Sequence, residues 1–271
     1  MRYPKFVSFH LNKIGYCGYV VQNKLYLIEK NKLEVRFSQK KFTLPMELQN
    51  RIDEYWETLI KNGNKYTRGE VFTMSNIEEN EGNIIINVDL SDYAHYLFTR
   101  RVGLPDKDAC KNIHTSCLIE TSDNVLVFGR MGEQTSIPGN IQCAGGGLNN
   151  EDIRGNVIDL EHNIRKELLE EVGIDVDNEK LVGDFSIKYL RYDSNIHSAA
   201  AIFILKLKIT SHDFAVFYDK FEAQIRAKEE LPEFKELVYL PKNKLAVNEF
   251  CEKEKKHLDH YMLPLLEEVI S

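Results

Sequence analysis

Apolar residues follow two spacings along the chain. A four-residue spacing predicts an amphipathic helix over residues 44–60, a second over 159–172 and a closing helix over 247–270. Short apolar or alternating runs predict strands between them. These runs cover residues 18–21, 25–28, 33–37, 70–74, 84–88, 115–120, 125–130, 185–191, 199–209 and 237–240.

The pattern divides the chain near residue 100. We predict a smaller α+β domain over residues 1–100 and a second domain over residues 105–271, joined by a short linker with Arg100 and Arg101. The first domain carries no catalytic constellation, so we expect it to shape a substrate pocket or an oligomer interface. Whether the protein is a homodimer stays open.

Composition narrows the class of protein. The 271 residues carry a net charge of −7 and are 43% hydrophobic, which favours a globular protein with a real core and argues against a nucleic-acid-coating surface. No apolar run approaches the roughly 18 residues that span a bilayer. Five scattered cysteines without a CxxC motif indicate free thiols in a reducing compartment, so we expect a cytoplasmic protein.

Three carboxylates mark the helix predicted over residues 159–172. Glu167, Glu170 and Glu171 stand at i, i+3 and i+4, which places them on one surface, where like charges repel. Oxygen ligands at that density suit a hard divalent cation, Mg²⁺ or Mn²⁺. An ordinary solvated helix face is the alternative. Asp159 is the predicted N-cap and Gly173 the predicted C-cap.

The residues from Lys166 to Ile174 resemble the second half of the Nudix box, whose pattern is G-x5-E-x7-R-E-U-x-E-E-x-G-U with U a bulky aliphatic residue. Lys166 stands where the family has arginine. The first half departs from the pattern, because Asp152 and Ile158 occupy the glycine and glutamate positions. We infer an insertion of about five residues within 149–157, a polar loop. Substitutes for the displaced glutamate are Glu151, which stands six residues after Gly145, and Glu161.

The resemblance implies a Nudix α/β/α sandwich with a mixed sheet over residues 105–271, preceded by the smaller α+β domain. It implies Mg²⁺-dependent hydrolysis of the pyrophosphate bond in a nucleoside diphosphate linked to another moiety. The layout with an N-terminal α+β domain is similar to that of enzymes that cleave nucleotide-sugars. We therefore expect a small-molecule nucleotide as the partner, and neither a membrane nor a nucleic acid.

The resemblance also implies roles for particular residues. Glu167, Glu170, Glu171 and the carbonyl of Gly147 would hold the metal. Glu170 and Glu167 would act in catalysis, and Lys166 would hold a neighbouring glutamate. A general base or extra metal ligand in an acidic loop has three candidates, Glu229, Glu230 and Glu233. We assign substrate contacts to Arg130, Arg191, Tyr192 and Glu230.

Two other functions stay open. The residues from Pro138 to Gly145 are similar to a segment of isopentenyl-diphosphate isomerase, in which Cys143 would be catalytic. A buried strand residue is the alternative for Cys143, and the isomerase's metal-binding histidines are not recognisable. A Nudix-fold binding or regulatory module without turnover is the second function. His257 and His260 are predicted to be surface residues of the closing helix.

Overall fold

The computed structural model describes residues 24–28, 32–80 and 82–271, and the predicted strand over residues 18–21 lies outside them. The described residues form a 12-stranded mixed sheet and six α-helices. The strands are β1 Lys24–Leu27, β2 Leu33–Lys41, β3 Glu70–Asn80, β4 Asn83–Asp92, β5 Asn112–Glu120, β6 Val125–Met131, β7 Ile141–Gln142, β8 Ile153–Arg154, β9 Val157–Ile158, β10 Val182–Asp193, β11 Ser198–Leu207 and β12 Phe234–Pro241. The helices are α1 Met46–Lys61, α2 Tyr93–Val102, α3 Leu160–Val172, α4 Ser211–Ala227, α5 Lys244–Glu254 and α6 Met262–Val269. None of these helices is long and apolar enough to cross a membrane.

Strand β11 is central in the sheet. It runs parallel to β5 and antiparallel to β10. Its side chains alternate between two apolar cores, with Phe203 and Leu205 in one and Ile202 and Ile204 in the other. A strand that is buried on both faces requires a layer of helices on each side.

Those layers are provided by two pairs of helices. The apolar stripe of α3 and the aromatic residues Phe214 and Tyr218 of α4 belong to the core on one face. Val247 of α5 and Leu265 of α6 belong to the core on the other face. The mixed sheet between two helical layers confirms the predicted α/β/α architecture.

The N-terminal strands continue the same sheet. β3 meets β5 at the pair Thr73↔Asn112, and β2 pairs with β4 and with β9. Helices α1 and α2 pack together through a separate apolar cluster that includes Ile52 and Phe98. The division into residues 1–100 and 105–271 remains a prediction.

The segment in which we infer an insertion, residues 149–157, leads into a small β-hairpin. β8 pairs with β9 across a turn in which Gly155 has a φ of 70°. β9 in turn pairs with β2 through Val35↔Ile158. Two short strands thus join the sheet just before α3, which stays in one piece.

The predicted closing helix over residues 247–270 is wrong in one respect, because the chain breaks between α5 and α6. Residues 255–261 instead pair with β7: the Ile141 amide donates to the His257 carbonyl at 2.7 Å, and the Asp259 amide donates to the Ile141 carbonyl at 3.0 Å. Pro264 then lies in the first turn of α6, where proline is tolerated. The apolar spacing continued across the break, so periodicity could not reveal it.

Candidate active site

Helix α3 fixes the three predicted glutamates at different depths. It begins after Asp159, whose carboxylate accepts from the His162 amide at 2.9 Å, and it ends at Gly173 with a φ of 73°. Because its apolar stripe is buried, the glutamates lie on the remaining surface. Glu171 is 5% exposed, Glu167 is half-buried and Glu170 is exposed.

The glycine segment, residues 145–147, lies directly against these carboxylates. The Gly145 amide donates to Glu171 Oε2 at 2.9 Å. A Cβ on Gly146 would stand 2.6 Å from the carboxyl carbon of Glu167, so only glycine allows that carboxylate its present position. The Gly146 carbonyl accepts from the Thr115 amide at 3.0 Å, which ties the segment to β5.

Gly145 and Gly147 offer a matched pair for testing this packing. We expect Gly145→Ala to lower the free energy of unfolding by about 1–3 kcal/mol, because its Cβ would stand 2.2 Å from the Thr115 carbonyl oxygen at a φ of 148°. Gly147→Ala should stay within about 0.5 kcal/mol of wild type, since nothing lies within 4 Å of the added carbon. Urea unfolding of both variants measures the difference, and equal midpoints would contradict it.

Glu233 reaches the same cluster from the loop before β12. The next residue, Phe234, is buried with its ring packed against Gly129. A Cβ on Gly129 would lie 2.0 Å from the Phe234 ring, so the ring needs a glycine at this position. The Gly132 amide donates to the Glu233 carbonyl at 2.9 Å, and Gln134 Nε2 donates to the Pro232 carbonyl at 2.5 Å. The backbone of Glu233 is thus fixed on both sides, and its carboxyl hydrogen-bonds to that of Glu171.

The cluster of Glu167, Glu171 and Glu233, called here the carboxyl cluster, is electrostatically strained. Burial raises the pKa of Glu167 to about 7, against the opposing charge of Lys166. Burial raises the pKa of Glu171 well above its usual range, and the charges of Glu233 and Glu167 add to the rise. Burial of the Glu233 carboxyl raises its pKa, although the residue as a whole is exposed at the cleft. The hydrogen bond between the two carboxyls raises the pKa of Glu171 and opposes the rise in the pKa of Glu233.

A buried amide joins α3 to the glycine segment, and sequence reasoning missed it. Asn163 Nδ2 donates to the Gly147 carbonyl at 3.2 Å and to Asp152 Oδ2 at 3.0 Å. The Thr115 hydroxyl donates to the Asn163 side-chain oxygen. Asp152, at the glycine position of the box, also accepts from the Asn149 amide at 2.9 Å. One signal was available, since Asn163 is a polar residue next to the apolar stripe of α3.

The Gly147 carbonyl, a predicted metal ligand, has one lone pair left.

Lys166 contacts the loop glutamate that the box spacing offered. Its Nζ lies 3.4 Å from Glu151 Oε2. Glu161, the other substitute, pairs with Arg165 at 2.9 Å on the exposed face of α3. The lysine therefore connects the helix to the inserted loop with a single contact.

A cleft of about 730 Å³ opens beside the glycine segment. The glycine segment and Glu233 line one end of it. Tyr93, Tyr96 and Arg100 of α2 line the facing wall, so the N-terminal part of the chain contributes to this cleft. The glutamates of α3 lie behind the glycine segment and do not line the part of the cleft formed by described residues.

The four predicted substrate contacts are not brought together there. Arg130 pairs with Glu236 at 2.7 Å and with Glu254 at 3.4 Å. Arg191 is buried and donates to the carbonyl of Tyr192 at 2.7 Å. Glu230 is exposed. Neither these three residues nor Tyr192 line the cleft as the described residues form it.

Cys143 lies in the core between the sheet and α6. Its side chain is 1% exposed, its amide donates to the Tyr261 hydroxyl at 2.9 Å, and its sulfur lies 3.7 Å from that of Met262. Burial raises the pKa of the Cys143 thiol. An inaccessible, protonated thiol is suited to packing and not to catalysis.

The donor chemistry of the carboxyl cluster fits a hard divalent cation. The side chains do not form a finished cage: among the described residues, no group of three or more His, Cys, Asp or Glu is placed to hold a metal ion. Lys166, the cation beside the cluster, contacts Glu151 instead. The cluster is thus a set of crowded carboxyls, and a bound cation would reduce the repulsion between them.

Comparison with solved structures gives weak similarities. The MutT protein from Methanosarcina mazei is 14% identical with a TM-score of 0.34, over 58% of this chain and 91% of that one. A NUDIX hydrolase from Nitrosomonas europaea is 11% identical with a TM-score of 0.34, over 58% and 86%. A bifunctional NMN adenylyltransferase/ADP ribose pyrophosphatase from Francisella tularensis, complexed with AMP and a Mn ion, is 13% identical with a TM-score of 0.36, over 58% and 41%.

No protein-family model matches the chain, and no curated protein matches it. Similarity at these TM-scores establishes neither the fold nor the function. Both therefore rest on the residues and the geometry described above.

Proposed function

We propose that this protein is a Nudix-type hydrolase that cleaves the pyrophosphate bond of a nucleoside diphosphate linked to another moiety. One observation carries the proposal. Glu167 and Glu171 of α3 meet Glu233 of the β12 loop beside the glycine segment, at one end of a cleft. Carboxyls that repel each other next to exposed backbone amides and carbonyls suit a cation bound together with an anionic substrate.

A divalent cation, Mg²⁺ or Mn²⁺, would neutralise phosphate oxygens and lower the pKa of an attacking water. Glu167 and Glu171 would hold it, with Glu170 at the exposed edge and the free lone pair of the Gly147 carbonyl as a further donor. Of the three acidic-loop candidates among the described residues, only Glu233 lines the cleft, so we assign it the role of accepting the proton from water. Glu229 and Glu230, the other two candidates for this role, do not line the cleft as the described residues form it.

The substrate proposal is a nucleotide-sugar, and it rests on the layout of an α+β region before the Nudix core. A cleft of about 730 Å³ falls in the usual range for small-molecule sites. The wall formed by α2 supports this proposal, because it adds Tyr93 and Tyr96 to the side that faces the glycine segment. Cleavage of a UDP- or ADP-sugar should give a nucleoside monophosphate and a sugar phosphate.

A panel assay tests the proposal. Purified protein is incubated with Mg²⁺ or Mn²⁺ and with UDP- and ADP-sugars, nucleoside triphosphates, capped RNA and an allylic diphosphate, and the products are separated by chromatography. We expect nucleoside monophosphate from the nucleotide-sugars, abolished by a chelator. Isomerised allylic diphosphate would indicate the isomerase function, and binding without any product would indicate the regulatory module. Turnover of capped RNA or triphosphates alone would contradict the substrate.

A further inference from the structure

The cleft lining includes two imidazole rings, His114 and His260, each with one ring nitrogen that has no hydrogen-bond partner among the described residues. Nδ1 of His114 and Nε2 of His260 are both shielded from solvent and unpaired among the described residues. Their ring centroids lie 6.1 Å apart. Asp259 Oδ1 lies 2.5 Å from His260 Nδ1, and it is likewise buried without a hydrogen-bond partner among the described residues. Unpaired buried polar atoms are costly, and a bound ligand would satisfy them.

The backbone places His114 directly beside the glycine segment. His114 of β5 forms an antiparallel bridge with Gly147, so their Cα atoms are cross-strand neighbours. Asp259 and His260 arrive from the break between α5 and α6, which the pairing with β7 creates. A group attached to a phosphate at the glycine segment would therefore lie against these rings.

The side chains of His114, His260 and Asp259 favour a ligand with hydroxyl groups. A neutral imidazole ring offers one hydrogen-bond donor and one acceptor. Burial alone would raise the pKa of Asp259. His260, His114 and Arg100 outweigh burial and lower this pKa below its ordinary value, so Asp259 is a carboxylate. A second phosphate group would meet that negative charge. A hydroxyl can donate to the carboxylate or to an imidazole nitrogen and accept from the other ring.

We propose that His114 and His260 form a subsite that binds a hydroxyl-rich group, such as a sugar ring, attached to the distal phosphate. Asp259 is a positioning residue that holds the His260 ring. Tyr96 and Arg100 of α2 line the same cleft, and the charge of Arg100 acts on both His114 and Asp259. This inference rests on the proposed function, which places the pyrophosphate at the glycine segment. It adds a statement of which residues select the moiety attached to that pyrophosphate.

Binding measurements in a chelating buffer test the subsite without turnover. Calorimetry compares UDP-glucose with UDP and ADP-glucose with ADP, for wild type, His114→Phe and His260→Phe. The phenylalanine variants keep a ring and remove its nitrogens. His257→Gln is the control, because His257 is an exposed neighbour outside the cleft lining. Thermal melting checks that each variant folds. If a ring variant does not fold, Ser198→Ala, which changes another residue of the cleft lining, is measured in its place.

We expect wild type and His257→Gln to bind at least one nucleotide-sugar about tenfold or more tighter than its nucleoside diphosphate. The ring variants should lose that preference while keeping wild-type affinity for the nucleoside diphosphate. No preference in wild type, or an equal loss for both ligands of a pair, would overturn the subsite. A protein that shows the preference but hydrolyses nothing would retain the subsite and refute the proposed function.

Discussion

Glu167→Gln should fold like the wild type and lose turnover by at least about a hundredfold. The substitution keeps the shape of the side chain against Gly146 and removes one negative charge from the carboxyl cluster. A cation held by the remaining carboxyls would be bound more weakly and placed less well beside the substrate. The stability of the metal-free protein should be equal or slightly higher, because a repulsion is removed. Steady-state kinetics and thermal melting measure the two effects.

Glu161→Gln is the matched control for that variant. Glu161 lies on the same helix, is half exposed and pairs only with Arg165 among the described contacts, so its loss should change turnover by less than about twofold. Gly146→Ala perturbs the same carboxylate without changing its charge, since the new Cβ must displace Glu167. If Glu167→Gln and Gly146→Ala both keep wild-type turnover, the glutamates form only a solvated helix face.

The sequence could predict α3 because all of its determinants are local. The four-residue apolar spacing, the N-cap Asp159 and the C-cap Gly173 act within one helix, and the structure bears out each of them. The depth of each glutamate is not local. Glu171 is buried because the Gly145 amide and Glu233 cover it, and both come from elsewhere in the chain.

The choice among the loop glutamates shows the same limit. Glu229, Glu230 and Glu233 are equivalent in an acidic run, and spacing alone cannot distinguish them. Glu233 alone precedes a residue, Phe234, that is anchored in the core against Gly129. That anchor depends on a pairing of β12 with β6 across about a hundred residues, which no local pattern encodes.

The break in the closing helix has the same kind of cause. Residues 255–261 leave the helix because Ile141 offers an amide and a carbonyl that would otherwise be unpaired. This tertiary demand overrides a periodic apolar pattern. It also moves His260 from the predicted surface position to the cleft lining, so local patterns could not place it beside His114.

Metal binding should stabilise the wild-type protein, and above the Kd this stabilisation should rise with the logarithm of the free metal concentration. At a free Mg²⁺ or Mn²⁺ concentration of 100 times the Kd, mass action adds about 2.7 kcal/mol to the free energy of unfolding. The physical reason is that the carboxyl cluster holds crowded negative groups without an ion-paired cation of its own, while Lys166 contacts Glu151. A chelator should return the melting temperature to that of the metal-free protein.

Glu171→Gln should abolish most of this metal-dependent shift. The glutamine can still accept from the Gly145 amide and can donate to Glu233, so the metal-free variant should melt at or above the wild-type temperature. Glu161→Gln, outside the cluster, should keep the full shift. Melting curves across a metal titration compare the three proteins. An unchanged shift in Glu171→Gln, or a wild type that does not respond to either ion, would show that the carboxyl cluster does not bind the cation, and the proposed hydrolase mechanism would fail with it.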